Sequence, residues 1–249
     1  MTRFSLILTI ALACMPAGFA AAPQTTSADS GKLEAVLKKM DTAAASFRNT
    51  QADFEWDTYE KVIDEVDDIQ TGTIYFRRSG KEIEMMADVK MAGSDPAKLK
   101  PEPKFVLVSQ GKVRMYQPKP DQVTEFDLGK NRSEFESYVV LGFGGGGQEL
   151  QKAFDVTYLG SEIIATGNNG VATAKLQLIP KSEKFRNTYK QIFLWIDLDR
   201  GISVQQQFFQ PGGNYRLVKY SAIRVNEKIP DEVFKLKTTS KTQTISPNG

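Results

Sequence analysis

The stretch Ala52-Asp53-Phe54-Glu55-Trp56-Asp57-Thr58-Tyr59 places apolar and charged side chains at alternate positions. In an extended chain successive side chains point to opposite faces, so this stretch reads as a strand. Ala52, Phe54 and Trp56 form its apolar face, and Asp53, Glu55 and Asp57 its wet one. The same period recurs downstream, where Ile74, Phe76 and Arg78 alternate with Thr73, Tyr75 and Arg77. Further strands are predicted at 81–89, 104–109, 112–117, 122–128, 155–163, 171–179, 189–198, 202–210 and 214–226. Turn chemistry separates them, as in Arg78-Ser79-Gly80, Ser109-Gln110-Gly111, Asp199-Arg200-Gly201 and Pro211-Gly212-Gly213. Eleven short strands joined mainly by hairpins, with no regular helical crossover, predict a mainly β domain built as an antiparallel meander. A long mobile loop is expected at 91–103, which carries Pro96, Pro101 and Pro103.

Before the strands comes one helix. Leu33, Val36, Leu37, Met40, Ala44 and Phe47 recur at spacings of three and four, with Lys38, Lys39 and Asp41 off that stripe. Ser30 or Asp29 is the expected cap. Further upstream, Arg3 followed by an apolar run from Phe4 to Cys14 and by Gly18-Phe19-Ala20 has the form of a cleaved export signal, 1–20. An apolar run of about ten residues is too short to span a bilayer, which takes about 20. Ile10-Ala11-Leu12-Ala13-Cys14 also resembles a lipobox, which leaves lipid anchoring through Cys14 as the alternative to soluble export into the periplasm. A flexible leader is expected at 21–31, the folded domain at 32–245 and a tail at 246–249.

Composition excludes much chemistry. The chain of 249 residues has no histidine, and its one cysteine, Cys14, lies inside the export signal. A mature domain with neither residue cannot build a Ser-His-Asp or Cys-His nucleophile, or the usual zinc and copper sites. The 32 basic and 30 acidic residues nearly balance, which argues against nucleic acid as a partner. Carboxylates are the remaining catalytic or calcium-binding option. Asp64, Glu65, Asp67 and Asp68 are expected to cluster in a turn, and Asp197 and Asp199 flank Leu198. Solvated surface charge accounts for both groups more simply.

The period of two breaks between 130 and 154. Ser133-Glu134-Phe135-Glu136 has the form of a capping box ahead of Phe135, Tyr138 and Val139 at helical spacing. Leu141-Gly142-Phe143-Gly144-Gly145-Gly146-Gly147 follows, and then a second short helical stretch at 148–154 that contains Leu150. Apolar side chains beside four consecutive glycines predict a hinged flap. The glycines also fit G-x-G-x-x-G, but a dinucleotide site needs that motif within a parallel βαβ unit, and the flanking strands here read as antiparallel.

The order of these pieces resembles a known family. After the helix, Ala52-Asp53-Phe54 enters a strand, and a later strand ends in the pair Arg77-Arg78. Val108-Ser109-Gln110-Gly111-Lys112 is followed by Met115-Tyr116-Gln117-Pro118 and Gln122-Val123-Thr124, and Pro230-Asp231-Glu232-Val233-Phe234 closes the sequence. In this order the chain is similar to the outer-membrane lipoprotein carriers and lipoprotein-sorting proteins, the LolA/LolB-like family. The resemblance implies an unclosed antiparallel β-barrel, a half-shell of about eleven strands with helices as a lid over an apolar cavity. It further implies a non-catalytic, cofactor-free, monomeric periplasmic carrier of lipoprotein acyl chains or other lipid. Such a carrier has an inner-membrane donor and an outer-membrane acceptor. An envelope sensor or interaction module is the alternative within the same fold. On that reading the period of two puts Phe54, Trp56, Ile74, Phe76, Met85, Met115 and Phe126 on the cavity wall, and the flap contributes Val139, Phe143 and Leu150. The resemblance also implies a basic residue at the cavity mouth that hydrogen-bonds the lid. Arg78 shares the face of Ile74 and Phe76, and Arg77 is the competing candidate.

Overall fold

The computed structural model describes residues 27–79, 82–129, 132, 135, 141, 143–167 and 169–247. The export signal, Cys14, Val139, Tyr138 and the capping box at 133–136 lie outside the described residues apart from Phe135, and so does Gly142 of the glycine motif. Helix α1 runs Ser27–Ser46. It starts within the expected leader, so Asp29 and Ser30 stand inside the first turn rather than capping it. Val36, Leu37 and Met40 are buried along its predicted stripe, and Phe47 is buried just beyond its end. Among the described residues no helix is long and apolar enough to cross a membrane.

Among the described residues twelve strands follow, one more than expected. They are β1 (Asn49–Glu60), β2 (Glu65–Ser79), β3 (Glu82–Gly93), β4 (Lys100–Ser109), β5 (Lys112–Gln117) and β6 (Gln122–Asp127) in the first half. Helix α2 (Gly147–Ala153) separates them from β7 (Phe154–Thr166), β8 (Asn169–Pro180), β9 (Gln191–Asp197), β10 (Ser203–Phe209), β11 (Tyr215–Val225) and β12 (Gln243–Ile245). A one-turn helix, α3 (Glu183–Arg186), joins β8 to β9. All lie in one sheet of order β12-β6-β5-β4-β3-β2-β1-β11-β10-β9-β8-β7. Neighbours pair antiparallel, except that β12 runs parallel to β6. The sheet is an unclosed half-shell with β12 and β7 at its edges.

Two expectations are corrected here. The loop expected at 91–103 is mostly strand: β3 continues to Gly93, a 3-10 turn occupies Pro96–Lys98, and β4 begins at Lys100. Of the acidic cluster, Asp64 sits in the β1–β2 turn with a positive φ of 57°, whereas Glu65, Asp67 and Asp68 belong to β2.

The face that carries the helices is the inner face, and its core has two parts. At one end α1 and α2 press Val36, Leu37, Met40 and Leu150 onto Leu176, Leu178, Leu194 and Ile196 of β8 and β9. In the middle, Phe47 and Phe143 cover Ala52, Phe54, Ile74, Phe76, Val89, Val218 and Tyr220. Burying side chains of this size contributes about 1.5–3 kcal/mol each. A separate cluster lies on the outer face, where Phe234 from the closing segment covers Met86 and Leu107.

Candidate functional site

Strand register lays the inner face out in rows. Ala52, Ile74, Ala87, Val106, Met115 and Thr124 are successive cross-strand partners from β1 to β6. Two residues along, Thr50, Phe76, Met85, Val108, Val113 and Phe126 form the next row. Side chains in a row share one face, because pleating alternates along each strand and not across strands. Ile74, Phe76, Met85, Met115 and Phe126 therefore line the same surface. Phe54 and Trp56 continue it along β1, with their rings stacked at 4.3 Å.

The wall divides by burial. Phe54, Ile74 and Phe76 are buried in one cluster with Phe143, and Trp56 and Met85 pack against it half-buried. Met115 and Phe126 share the face but stay half-exposed, and neither belongs to a buried cluster among the described residues. Leu150 is not with them. It is buried between α2 and the β8–β9 end of the core.

Phe143 is the centre of the arrangement. Only 1% of it is exposed, and it stacks on Phe76 at 5.2 Å and meets Tyr220 edge-on at 4.8 Å. Two side chains from the sheet hold the backbone on either side of it. Arg78 Nη2 donates to the carbonyl of Gly144 at 2.9 Å, and Gln206 Nε2 donates to the carbonyl of Leu141. Gln206 is itself buried, and its Oε1 accepts from the Tyr220 hydroxyl at 3.3 Å. Burial pushes the Tyr220 hydroxyl pKa well above its ordinary value, so it stays a neutral donor.

The two neighbouring arginines point opposite ways. Arg78 shares the inner face with Phe76. Arg77 faces outwards, where it pairs with Glu84 and Asp231 and lies over the Phe234 ring at 4.1 Å. Its burial alone would weaken its charge, but the two carboxylates outweigh that and raise its pKa.

The glycine run has a packing reason that the sequence did not show. Gly144 takes a φ of +79°, and a Cβ on it would lie 2.5 Å from Cδ1 of Phe47. A Cβ on Gly147 would lie 2.5 Å from the Leu37 carbonyl oxygen. These glycines let the segment lie directly against α1. The Gln148 N–H completes the contact by donating to Asp41 Oδ1 at 3.1 Å.

Sequence reading missed the polar residues of the inner face. Gln206 lies in the run Ser203-Val204-Gln205-Gln206-Gln207, where nothing in the pattern distinguishes the glutamine that turns inward. Lys104 is opposite Val89 of the core, and its Nζ donates to Gln70 Oε1 at 2.7 Å. Gln70 in turn donates to Asp68 at 2.5 Å. Of the carboxylates weighed as catalytic, Asp197 closes the β9–β10 turn. It accepts from the Asp199 and Arg200 N–H groups and from Arg200 Nε at 2.7 Å. Among the described residues no group of three or more acidic, histidine or cysteine side chains is placed to hold a metal ion.

No protein-family model matches the chain, and no curated protein does. Its shape is similar to several solved structures. One is an uncharacterized conserved protein from Thermus thermophilus, 10% identical, covering 86% of this chain and 99% of that one, with a TM-score of 0.49. Another is a putative outer membrane lipoprotein-sorting protein domain from Vibrio parahaemolyticus, 11% identical over 81% of this chain and 95% of that one, with a TM-score of 0.42. A third is MucB in the Pseudomonas aeruginosa MucA/MucB complex, 12% identical over 82% of this chain and 61% of that one, with a TM-score of 0.45.

Proposed function

We propose that the chain is a non-catalytic carrier of the periplasm that takes acyl chains of lipids or lipoproteins onto the inner face of its half-shell. The observation that carries this reading is the plug. Phe143, on a segment held to the sheet by Arg78 and Gln206, fills an apolar surface made by Phe54, Ile74, Phe76 and Tyr220. An acyl chain offers the same chemistry as that ring and competes for the same surface. Each buried CH₂ contributes about 0.8 kcal/mol, so a long chain supplies enough to displace one aromatic side chain. Arg78 acts in this cycle as the lock. It stabilises the closed segment by one charge-assisted bond and releases it when the chain enters. Transfer then follows the gradient of affinity from donor to acceptor.

The test is binding of a fluorescent fatty acyl probe to the wild type and to Trp56→Glu and Phe76→Glu. Both variants place a carboxylate on the proposed wall. Loss of binding in folded variants is expected, and unchanged affinity in both removes the acyl site from this face.

A groove on the outer face favours a second reading, an envelope interaction module. It has a volume of about 480 Å³ and is lined by Tyr75, Met86, Phe105 and Val233. Native mass spectrometry of the protein purified from its own envelope separates the two readings: a carrier leaves with lipid or lipoprotein, an interaction module with a protein partner.

A further inference from the structure

The inner face is apolar along most of β1, β2 and β3, but not where it approaches the β1–β2 hairpin. Beyond Phe54 and its partners Gly72 and Tyr220, Trp56 lies between Gln70 and Val218, and Thr58 lies between Asp68 and Arg216. Lys104 joins from β4 through its place opposite Val89. The Arg216 guanidinium stands over the Trp56 ring at 5.8 Å.

This end of the sheet treats its cations differently from the outer face. Outside, Arg77, Arg114 and Lys219 each have a carboxylate partner, in Glu84 and Asp231, Glu125, and Glu55 and Asp57. Inside, neither Lys104 nor Arg216 makes a salt bridge among the described residues. Lys104 has only the neutral Gln70 oxygen, and Arg216 has the indole face. Trp56 adds a third unmet need, because its Nε1 is covered and has no hydrogen-bond partner among the described residues. Burial holds the Lys104 pKa below its ordinary value. Asp68 and Glu102 oppose that shift and Arg216 reinforces it, which places the two cations within electrostatic reach of one another. Lys104 is partly buried and Arg216 is exposed beside it. The covered Trp56 N–H without an acceptor is costly unless something else supplies one.

We propose that this end of the inner face is a headgroup subsite for an anionic lipid. Lys104 and Arg216 bind the head, a carboxylate or a phosphate, and Trp56 Nε1 donates to one of its oxygens. The chain then runs over Phe54, Ile74 and Phe76 towards Phe143. This inference rests on the acyl-carrier reading and adds polarity to it: the ligand enters with a fixed direction, head beside the hairpin and tail beneath the plug.

The experiment compares three fluorescent probes with the same chain: a fatty acid, its methyl ester and the corresponding monoalkyl phosphate. The wild type should bind the anionic probes over the ester by about tenfold or more, the factor expected of one charge-assisted hydrogen bond. The preferred anion identifies the head as carboxylate or phosphate. In Lys104→Met/Arg216→Met the anion-to-ester ratio should fall to about one, and Lys104→Arg, which keeps the charge, should retain the preference. Equal wild-type binding of acid, phosphate and ester overturns the subsite and leaves the acyl reading intact. So does a ratio that the double variant does not change. If none of the three probes binds, the acyl reading itself fails and the subsite falls with it.

Discussion

Replacing Phe143 by alanine should separate lid from shell. The ring is 1% exposed and packs between Phe76 at 5.2 Å and Tyr220 at 4.8 Å. Removing a buried phenylalanine in such a setting costs about 3–5 kcal/mol. If 141–153 is a lid that opens independently, that cost falls first on its closed state, and the lid undocks once the loss exceeds its docking free energy. A shift of about 3 kcal/mol changes the closed-to-open ratio more than a hundredfold. Hydrogen exchange followed by mass spectrometry reads this directly. Peptides from 143–153 should lose protection in Phe143→Ala, while those from β8 and β9, whose Leu176, Leu194 and Ile196 are fully buried, should keep theirs. The fluorescent acyl probe should also associate faster, because no ring must be displaced. The opposite pattern refutes the reasoning. If global stability falls by the full amount while the two sets of peptides lose protection together, Phe143 is a core residue of one cooperative unit and no lid exists.

Other substitutions act on the same closure. Arg78→Leu removes the donor to the Gly144 carbonyl, and because the arginine is exposed the loss should be about 1 kcal/mol, below the range for hydrogen bonds to buried charged groups. Exchange across 143–153 should rise severalfold with little change in the urea midpoint, and identical exchange in the wild type and the variant removes the lock assignment. Gly147→Ala puts a methyl group 2.5 Å from the Leu37 carbonyl, so α2 must back away from α1 at a cost of about 1–3 kcal/mol. A urea melt indistinguishable from wild type would show that this contact is not tight. Phe234→Ala empties the outer cluster and should lower stability by about 3–5 kcal/mol without altering acyl affinity, since it lies on the other side of the sheet. Weaker probe binding in that variant would place the ligand outside the shell.

The strand pattern was legible wherever one face is buried and the other is wet. Alternation puts Phe54, Ile74 and Phe76 on one face, as the register does, and it favours Arg78 over Arg77 for that face. Alternation failed where strands run past the core. Glu65, Asp67 and Asp68 sit in the part of β2 that extends beyond the inner cluster, where both faces accept charge and acidic residues look like a turn. Pro101 and Pro103 misled for a related reason. β4 pairs with β3 from Lys100 onwards but with β5 only from Phe105, so its first residues have one open side that needs no N–H donor. The three exposed residues of β12 carry no apolar signal, and only the register with Gln122, Val123 and Thr124 reveals the strand. Helix α1 begins earlier than its stripe because its first turn, Ser27-Ala28-Asp29-Ser30, has no large apolar side chain that a pattern could show. Within the site, the apolar wall and Arg78 could be read, and the other polar groups could not. Gln206 and Lys104 occupy inward positions that a search for apolar periodicity discards, although Gln206 holds the Leu141 carbonyl and Lys104 brings a charge to the far end of the inner face. The resemblance of motif order implies the half-shell, which composition and period alone leave as a meander.

On the carrier reading, lipid chains lie on the inner face beneath Phe143. A fatty acid carrying a diazirine near its chain end, crosslinked by light and mapped by tandem mass spectrometry, tests it most directly. Labels are expected on Ile74, Phe76 and Phe143, suppressed by excess unlabelled fatty acid. Labels on Tyr75, Phe105 or Val233 of the outer groove, or labelling that excess lipid does not suppress, would contradict it.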